Sequence, residues 1–177
     1  MAQLTIVVGM AASGKTTYCR RLSRQTGAAL FQDATLTRTD RRRAGFECLG
    51  ELVARLVGRK EDCVIDESHL TTPAFRDLFR QFCDEFLPEI DQKWVFFEKD
   101  VLACINNLRH DQQQGRDDLA RFIALYHQRR DYSVPSPQEF PGFELLPVWQ
   151  GASYFTVESK GVDWLDAQVR AKRLQAW

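Results

Sequence analysis

Short apolar runs alternate with longer amphipathic stretches along this chain. Leu4 to Val8 (LTIVV) is a β-branched run that stops at Gly9, the pattern of a strand buried on both faces. Residues 14–26 then read as a helix ending before Gly27, and Ala28 to Gln32 as a weaker second strand. Phe46, Leu49, Val53, Leu56 and Val57 recur at helical spacing ahead of Gly58. Cys63-Val64-Ile65 is a third strand, running out into Asp66-Glu67. Thr72-Pro73 predicts a helix start, with Thr72 as N-cap and Pro73 at the first helical position. Phe75, Phe79, Phe82 and Phe86 share one face of that helix, and their spacing predicts a core stripe. Lys93 to Phe97 is a fourth strand, and Asp100 caps a helix to about Asn107. Arg109 to Arg116 (RHDQQQGR) has no core-facing residue and reads as a polar connector. A helix from near Asp117 carries Leu119, Phe122, Ile123 and Tyr126 on one side. After a loop punctuated by Pro135, Pro137 and Pro141 come two strand candidates, Glu144 to Trp149 and Tyr154 to Val157. Asp163 opens a last helix.

Strands alternating with helices predict an α/β domain with a mostly parallel central sheet. No linker interrupts the 177 residues, so they are expected to form one domain around one core. No apolar run approaches the length of a membrane span, and MAQLTIVVGM lacks the basic start of a signal peptide. The five cysteines are odd in number and none has C-x-x-C spacing, which predicts free thiols in a reducing cytoplasm. The three histidines form no ligand pattern, so no structural metal and no membrane partner are expected.

Charge sharpens the picture. Lys plus Arg is 24 and Asp plus Glu is 24, a net charge of zero that argues against coating a polyanion. The zero is a cancellation. Residues 1–60 hold 11 basic and 4 acidic side chains, net +7, while residues 61–100 hold 4 basic and 11 acidic, net −7.

The chemistry sits first at GMAASGKTT, which fits G-x-x-x-x-G-K-[ST] with Gly9, Gly14, Lys15 and Thr16 in register. Small residues at Gly9, Ala12, Ser13 and Gly14 let backbone N–H groups wrap a polyphosphate at the start of a helix. Lys15 reaches the outer phosphates, the Thr16 hydroxyl is a Mg²⁺ ligand, and Thr17 is a further phosphate contact. The strand before and the helix after are the context this loop needs. Asp66 ends the third strand, where a carboxylate holds the metal through water, and Glu67 shares or takes that role.

Two features favour phosphoryl transfer over nucleotide binding alone. Asp33 follows the second strand, whose end opens onto the same crevice, and a carboxylate there can accept the proton of an attacking hydroxyl. Arg38 or Arg43, in the densest basic run, would hold an anionic acceptor. Arg109 and Arg116 flank the polar stretch and can close over the triphosphate as a lid. Ser68 and His69 follow the acidic strand end and are expected to line the acceptor pocket.

These parts in this order resemble the small P-loop kinases, and most closely the kinase domain of phage-type 5′-polynucleotide kinases. The resemblance rests on GMAASGKTT, on Asp33, on VIDESHLTTPAFR, and on the segment Arg116 to Tyr132 with ALYHQRRDY. It implies a three-layer fold with strand order 2-3-1-4-5, a helical lid over about residues 108–131, and ATP with Mg²⁺. It also implies Asp33 as general base, Arg109 and Arg116 as lid arginines, and an adenine site near Trp149. The reading is an ATP-dependent kinase acting on a hydroxyl, with a nucleic-acid 5′-end as leading acceptor. A small-molecule or nucleoside kinase is the alternative within enzymes, and an ATP-binding switch acting with a partner is the alternative outside them.

Overall fold

The computed structural model describes residues 1–32, 49–116, 119–149 and 161–175. β1 (Gln3–Val8) leads through a glycine-rich loop into α1 (Lys15–Thr26), which Gly27 ends at φ 76°. β2 (Ala29–Gln32) follows; residues 49–53 are helical and run into a π-helical turn, Ala54–Arg59. Then come β3 (Cys63–Asp66), a 3₁₀ turn (His69–Thr71), α2 (Pro73–Phe86) and β4 (Asp91–Phe97). The chain continues with α3 (Val101–Gln113), α4 (Leu119–Asp131), β5 (Glu144–Leu146) and α5 (Gly161–Gln175).

The five strands form one parallel sheet in the order β2-β3-β1-β4-β5, as expected. Alternation along β1 splits the core in two. Leu4, Ile6 and Val8 join Ile65, Trp94 and Phe96 on the face covered by α2 to α5. Val7, with Val64, Val95 and Phe97, faces Cys19 of α1 on the other. Helices on both sides of a parallel sheet make a three-layer α/β domain.

Three expectations need correction. The phenylalanine stripe of α2 is core only in part: Phe79 and Phe82 are half-buried and pack against the main core, but Phe75 is 50% exposed and Phe86 51%. The buried positions on α2 are Arg76 and Cys83. Arg76 is the cause. Its guanidinium donates to the Ser133 carbonyl at 2.9 Å and the Ser133 hydroxyl at 3.2 Å, and lies 5.6 Å from the Phe96 ring centre. That polar anchor rotates the helix away from its apolar face, and burial lowers the Arg76 pKa. Thr72 does occupy the N-cap position, but its hydroxyl donates back to the His69 carbonyl and caps nothing. Finally, α3 runs to Gln113 rather than Asn107, so most of the polar stretch is helix. The Asp100 side chain accepts from Ala103 N–H at 2.9 Å at its start, and Gly115, at φ 72°, turns the chain just past its end.

β5 is shorter than its predicted run, and the second late strand candidate, Tyr154 to Val157, lies outside the described residues. Buried Tyr132, just past α4, donates its hydroxyl to the Phe97 carbonyl and pins the helix end to β4. Among the described residues no helix is long and apolar enough to cross a membrane.

Candidate active site

The loop between β1 and α1 lies at the carboxyl ends of the strands, the place where open parallel sheets bind ligands. Two residues take left-handed backbone, Ala12 at φ 63° and Gly14 at φ 94°, and fold the loop back on itself. Ser13 N–H donates to the Met10 carbonyl at 3.2 Å across the turn. A side chain at Gly9 would meet Ser13 Oγ at 2.7 Å, and one at Gly14 would meet Trp149 Cβ at 2.3 Å. Both glycines are therefore required for packing, and Gly14 for its conformation too.

Lys15 is buried at the first position of α1 and donates to Asp66 Oδ1 at 2.9 Å. Asp66 is only 3% exposed, and its other oxygen accepts from Gln32 Nε2 at 3.2 Å. The ends of β2 and β3 and the start of α1 thus meet at one carboxylate. Burial raises the Cys19 thiol pKa, with the Asp66 charge adding to the shift and Lys15 opposing it.

A cavity of about 810 Å³ opens above the loop. Ala12, Gly14, Lys15, Thr16 and Thr17 line it, so most of the expected phosphate contacts share one wall. Ser13 sits beneath them, wholly buried, its hydroxyl without a hydrogen-bond partner among the described residues. Arg20, Arg116 and Arg121 also face the cavity, and Asp111 is the only carboxylate among the lining residues. That balance favours a polyanion.

The remaining expected residues divide. Arg116 reaches Asp111 at 3.1 Å and stands on the cavity wall. Arg109 does not line the cavity; its guanidinium lies 4.6 Å from the Trp164 ring centre and braces α3 against α5. Glu67 is buried and accepts from both the backbone N–H and Nδ1 of His69, at 3.0 and 2.5 Å. His69 is half exposed beside the Phe75 ring and off the cavity wall, where Ser68 takes the lining position. Asp33, Arg38 and Arg43 lie outside the described residues.

Apart from Trp149, which the resemblance puts near an adenine site, the residues that follow reach the site without having been singled out for it. Asn107 Nδ2 donates to the Ala12 carbonyl at 2.8 Å and also to the Trp149 carbonyl. Trp149 N–H donates to the Ser13 carbonyl at 2.9 Å. Gln128 Oε1 accepts from the Ala11 N–H at 2.6 Å. Arg121 pairs with Asp111 at 2.5 Å. A signal existed: Asn107, His110 and Asp111, and again Ala120, Ala124 and Gln128, recur at helical spacing and line the cavity. Each set is a polar or small-residue face on a helix whose other side is core.

No family model matches the sequence. An uncharacterized protein of Acanthamoeba polyphaga mimivirus is 24% identical over 141 residues, 78% of this chain and 93% of that protein. Among solved structures, a gluconokinase from Sinorhizobium meliloti 1021 matches with a TM-score of 0.57 at 16% identity, over 99% of this chain and 98% of that one. A fungal RNA kinase matches with a TM-score of 0.56 at 13% identity, over 97% and 88% of the two chains. A sugar kinase from Janibacter sp. gives 0.54 at 15% identity, over 96% and 98%. The sheet order, the phosphate loop at its centre and these likenesses agree: the chain has the fold of the small P-loop kinases.

Proposed function

We propose that the chain is a P-loop phosphotransferase that uses ATP and Mg²⁺ to phosphorylate a hydroxyl. One observation carries the reading. Lys15 lines a cavity whose other described charges are three arginines and one aspartate, and it is held there by Asp66, which lies behind the cavity wall. A nucleoside triphosphate would lie against the loop with its outer phosphates toward Lys15.

The donor set suits a hard cation. The Thr16 hydroxyl on the cavity wall and the Asp66 carboxylate behind it, now bonded to Lys15 and Gln32, offer oxygen only, and the described residues hold no group of three His, Cys, Asp or Glu side chains able to hold a metal. Mg²⁺ that keeps several waters and takes the rest of its ligands from phosphate needs no more protein than that. Both carboxylates are engaged, Asp66 by Lys15 and Gln32 and Glu67 by His69, so either would exchange a partner to hold the ion. Bound there, the ion would neutralise phosphate charge. Arg116 and Arg121 would swing from Asp111 onto the transferring group. Asp33 would take the proton of the attacking hydroxyl as its oxygen bonds to the γ-phosphorus, and ADP would leave with the bridging oxygen.

The leading acceptor is a nucleic-acid 5′-hydroxyl, gripped at one end by Arg38 or Arg43; the motif resemblance supports it. A sugar or nucleoside is the second reading, favoured by the equally good fold match to a gluconokinase. γ-Labelled ATP offered with 5′-hydroxyl oligonucleotides, sugars and nucleosides separates the two. Label is expected on the oligonucleotides, and Asp33→Asn is expected to abolish transfer while ATP still binds. Label on metabolites alone would move the assignment to a small-molecule kinase. Full transfer by Asp33→Asn would remove the base, and ATP binding without any transfer would leave a nucleotide-dependent switch.

A further inference from the structure

We infer that Gln128 reads the terminal phosphate of the nucleotide. The inference rests on the phosphate-loop reading above and adds a residue of α4 that lines the same cavity.

Gln128 stands on α4 near its carboxyl end and lines the cavity. Its side chain meets the Ala11 N–H, 117 residues earlier in the chain, at 2.6 Å. An N–H donates only to an acceptor, here the amide oxygen and not the NH₂, so the bond fixes which end of the amide is which. Oε1 faces the loop, and the NH₂ group is left over. That NH₂ has no partner among the described residues, although it belongs to a residue of the cavity wall. A rigidly aimed amide that offers two donors beside a phosphate loop is built to bind an anionic oxygen. Such bonds to charged acceptors are roughly twice as strong as neutral ones.

Asn107 supplies the contrast. It braces the same loop from α3, but its Nδ2 already donates to the Ala12 and Trp149 carbonyls. It shapes the loop and has those donors committed. Gln128 shapes the loop with its oxygen and presents its nitrogen to the ligand. Its partner Ala11 stands in the first half of the loop, before Gly14, while Thr16 and Thr17 begin α1, so a phosphate chain laid along the loop from α1 would bring its last phosphate nearest Gln128. It therefore distinguishes a triphosphate from a diphosphate.

Calorimetric titration of the whole chain with Mg-ATP and with Mg-ADP tests this. For Gln128→Met, of similar length but with no donor and only a weakly accepting thioether, ATP affinity is expected to fall about tenfold more than ADP affinity, the worth of one hydrogen bond to a charged group. Asn107→Ala is expected to weaken both nucleotides by the same factor. Gln128→Met behaving like Asn107→Ala, with an unchanged ATP-to-ADP ratio, would overturn the inference and reduce Gln128 to a brace. Should Gln128→Met fail to fold, Gln128→Glu keeps an acceptor for Ala11 and is expected to lose the ATP preference; a retained preference overturns the inference equally. A wild-type chain that binds neither nucleotide would overturn the phosphate-loop reading itself, and this inference with it.

Discussion

Asp66→Asn is a nearly isosteric change that leaves the Lys15 charge facing an amide. The pair is well shielded, with side chains 10% and 4% exposed and 2.9 Å apart. At an effective dielectric of about 20, that separation is worth about 6 kcal/mol of attraction. Removing two charges from water costs several kcal/mol each, so the intact pair contributes little net stability. Breaking it is different. The attraction disappears while the Lys15 desolvation cost remains, and the loss is about 3–5 kcal/mol, toward the lower figure because Asn keeps an oxygen for Lys15. In a chain of 177 residues this is a fall in Tm of roughly 6–20 °C. Lys15→Met/Asp66→Asn buries no charge and is expected within about 1 kcal/mol of wild type. Urea unfolding followed by circular dichroism reads both, provided the slope is unchanged. A single variant costing under about 1 kcal/mol, or a double variant no better than the single, would refute the picture of a dry, mutually dependent pair.

Two further outcomes follow from the same geometry. Gly14→Ala forces a Cβ onto φ 94° and to 2.3 Å from Trp149 Cβ. The conformation costs about 1–2 kcal/mol and the overlap about 1–3 more, read as a lower Tm; in a Trp149→Gly background only the first part should remain. The four described cysteines are buried, and burial pushes Cys63 up to about 11 and Cys83 to about 12. Thiolate is the reactive form, so iodoacetamide at pH 8 should label these four only on unfolding. Because the unfolded thiols ionise near pH 9 and the folded ones later, the folded state holds more protons in between. Stability is then flat up to about pH 8.5 and declines toward pH 12, seen as a falling urea midpoint. A midpoint that rises over that range would contradict the burial.

The sheet was legible because its information is local. Each strand is a short apolar run with a stop residue, and the phosphate loop is nine consecutive residues whose chemistry depends on their spacing. Strand order came from the motif resemblance, and the pairing agrees with it. What escaped the sequence is set by partners far along the chain. The rotation of α2 is decided by Ser133, 57 residues beyond Arg76. An apolar period of phenylalanines lost to one buried guanidinium, because an unsatisfied buried charge costs more than two exposed rings. The last turns of α3 lack a core face, yet Leu108 is buried, Arg109 stacks on Trp164, and Asp111 gathers two arginines. Tertiary contacts supply what periodicity did not.

The same reasoning explains why the braces of the phosphate loop are amides. Their partners are backbone groups, Ala12 at a separation of 95 residues and Ala11 at 117, so no complementary side chain marks them in the sequence. A carboxylate at position 128 would accept from Ala11 equally well, but its charge would oppose a polyphosphate in the same cavity. A lysine at position 107 would donate to Ala12, but would compete with Lys15 for the ligand. Neutral amides fix the loop with dipoles and leave the field to the cations. Lys15, Arg20, Arg116 and Arg121 supply that field from α1 and from the chain around α4, and Asp111 holds two of them in place. A chain with zero net charge can thus line a pocket with mostly positive side chains, because local charge depends on where it is held and not on its sum.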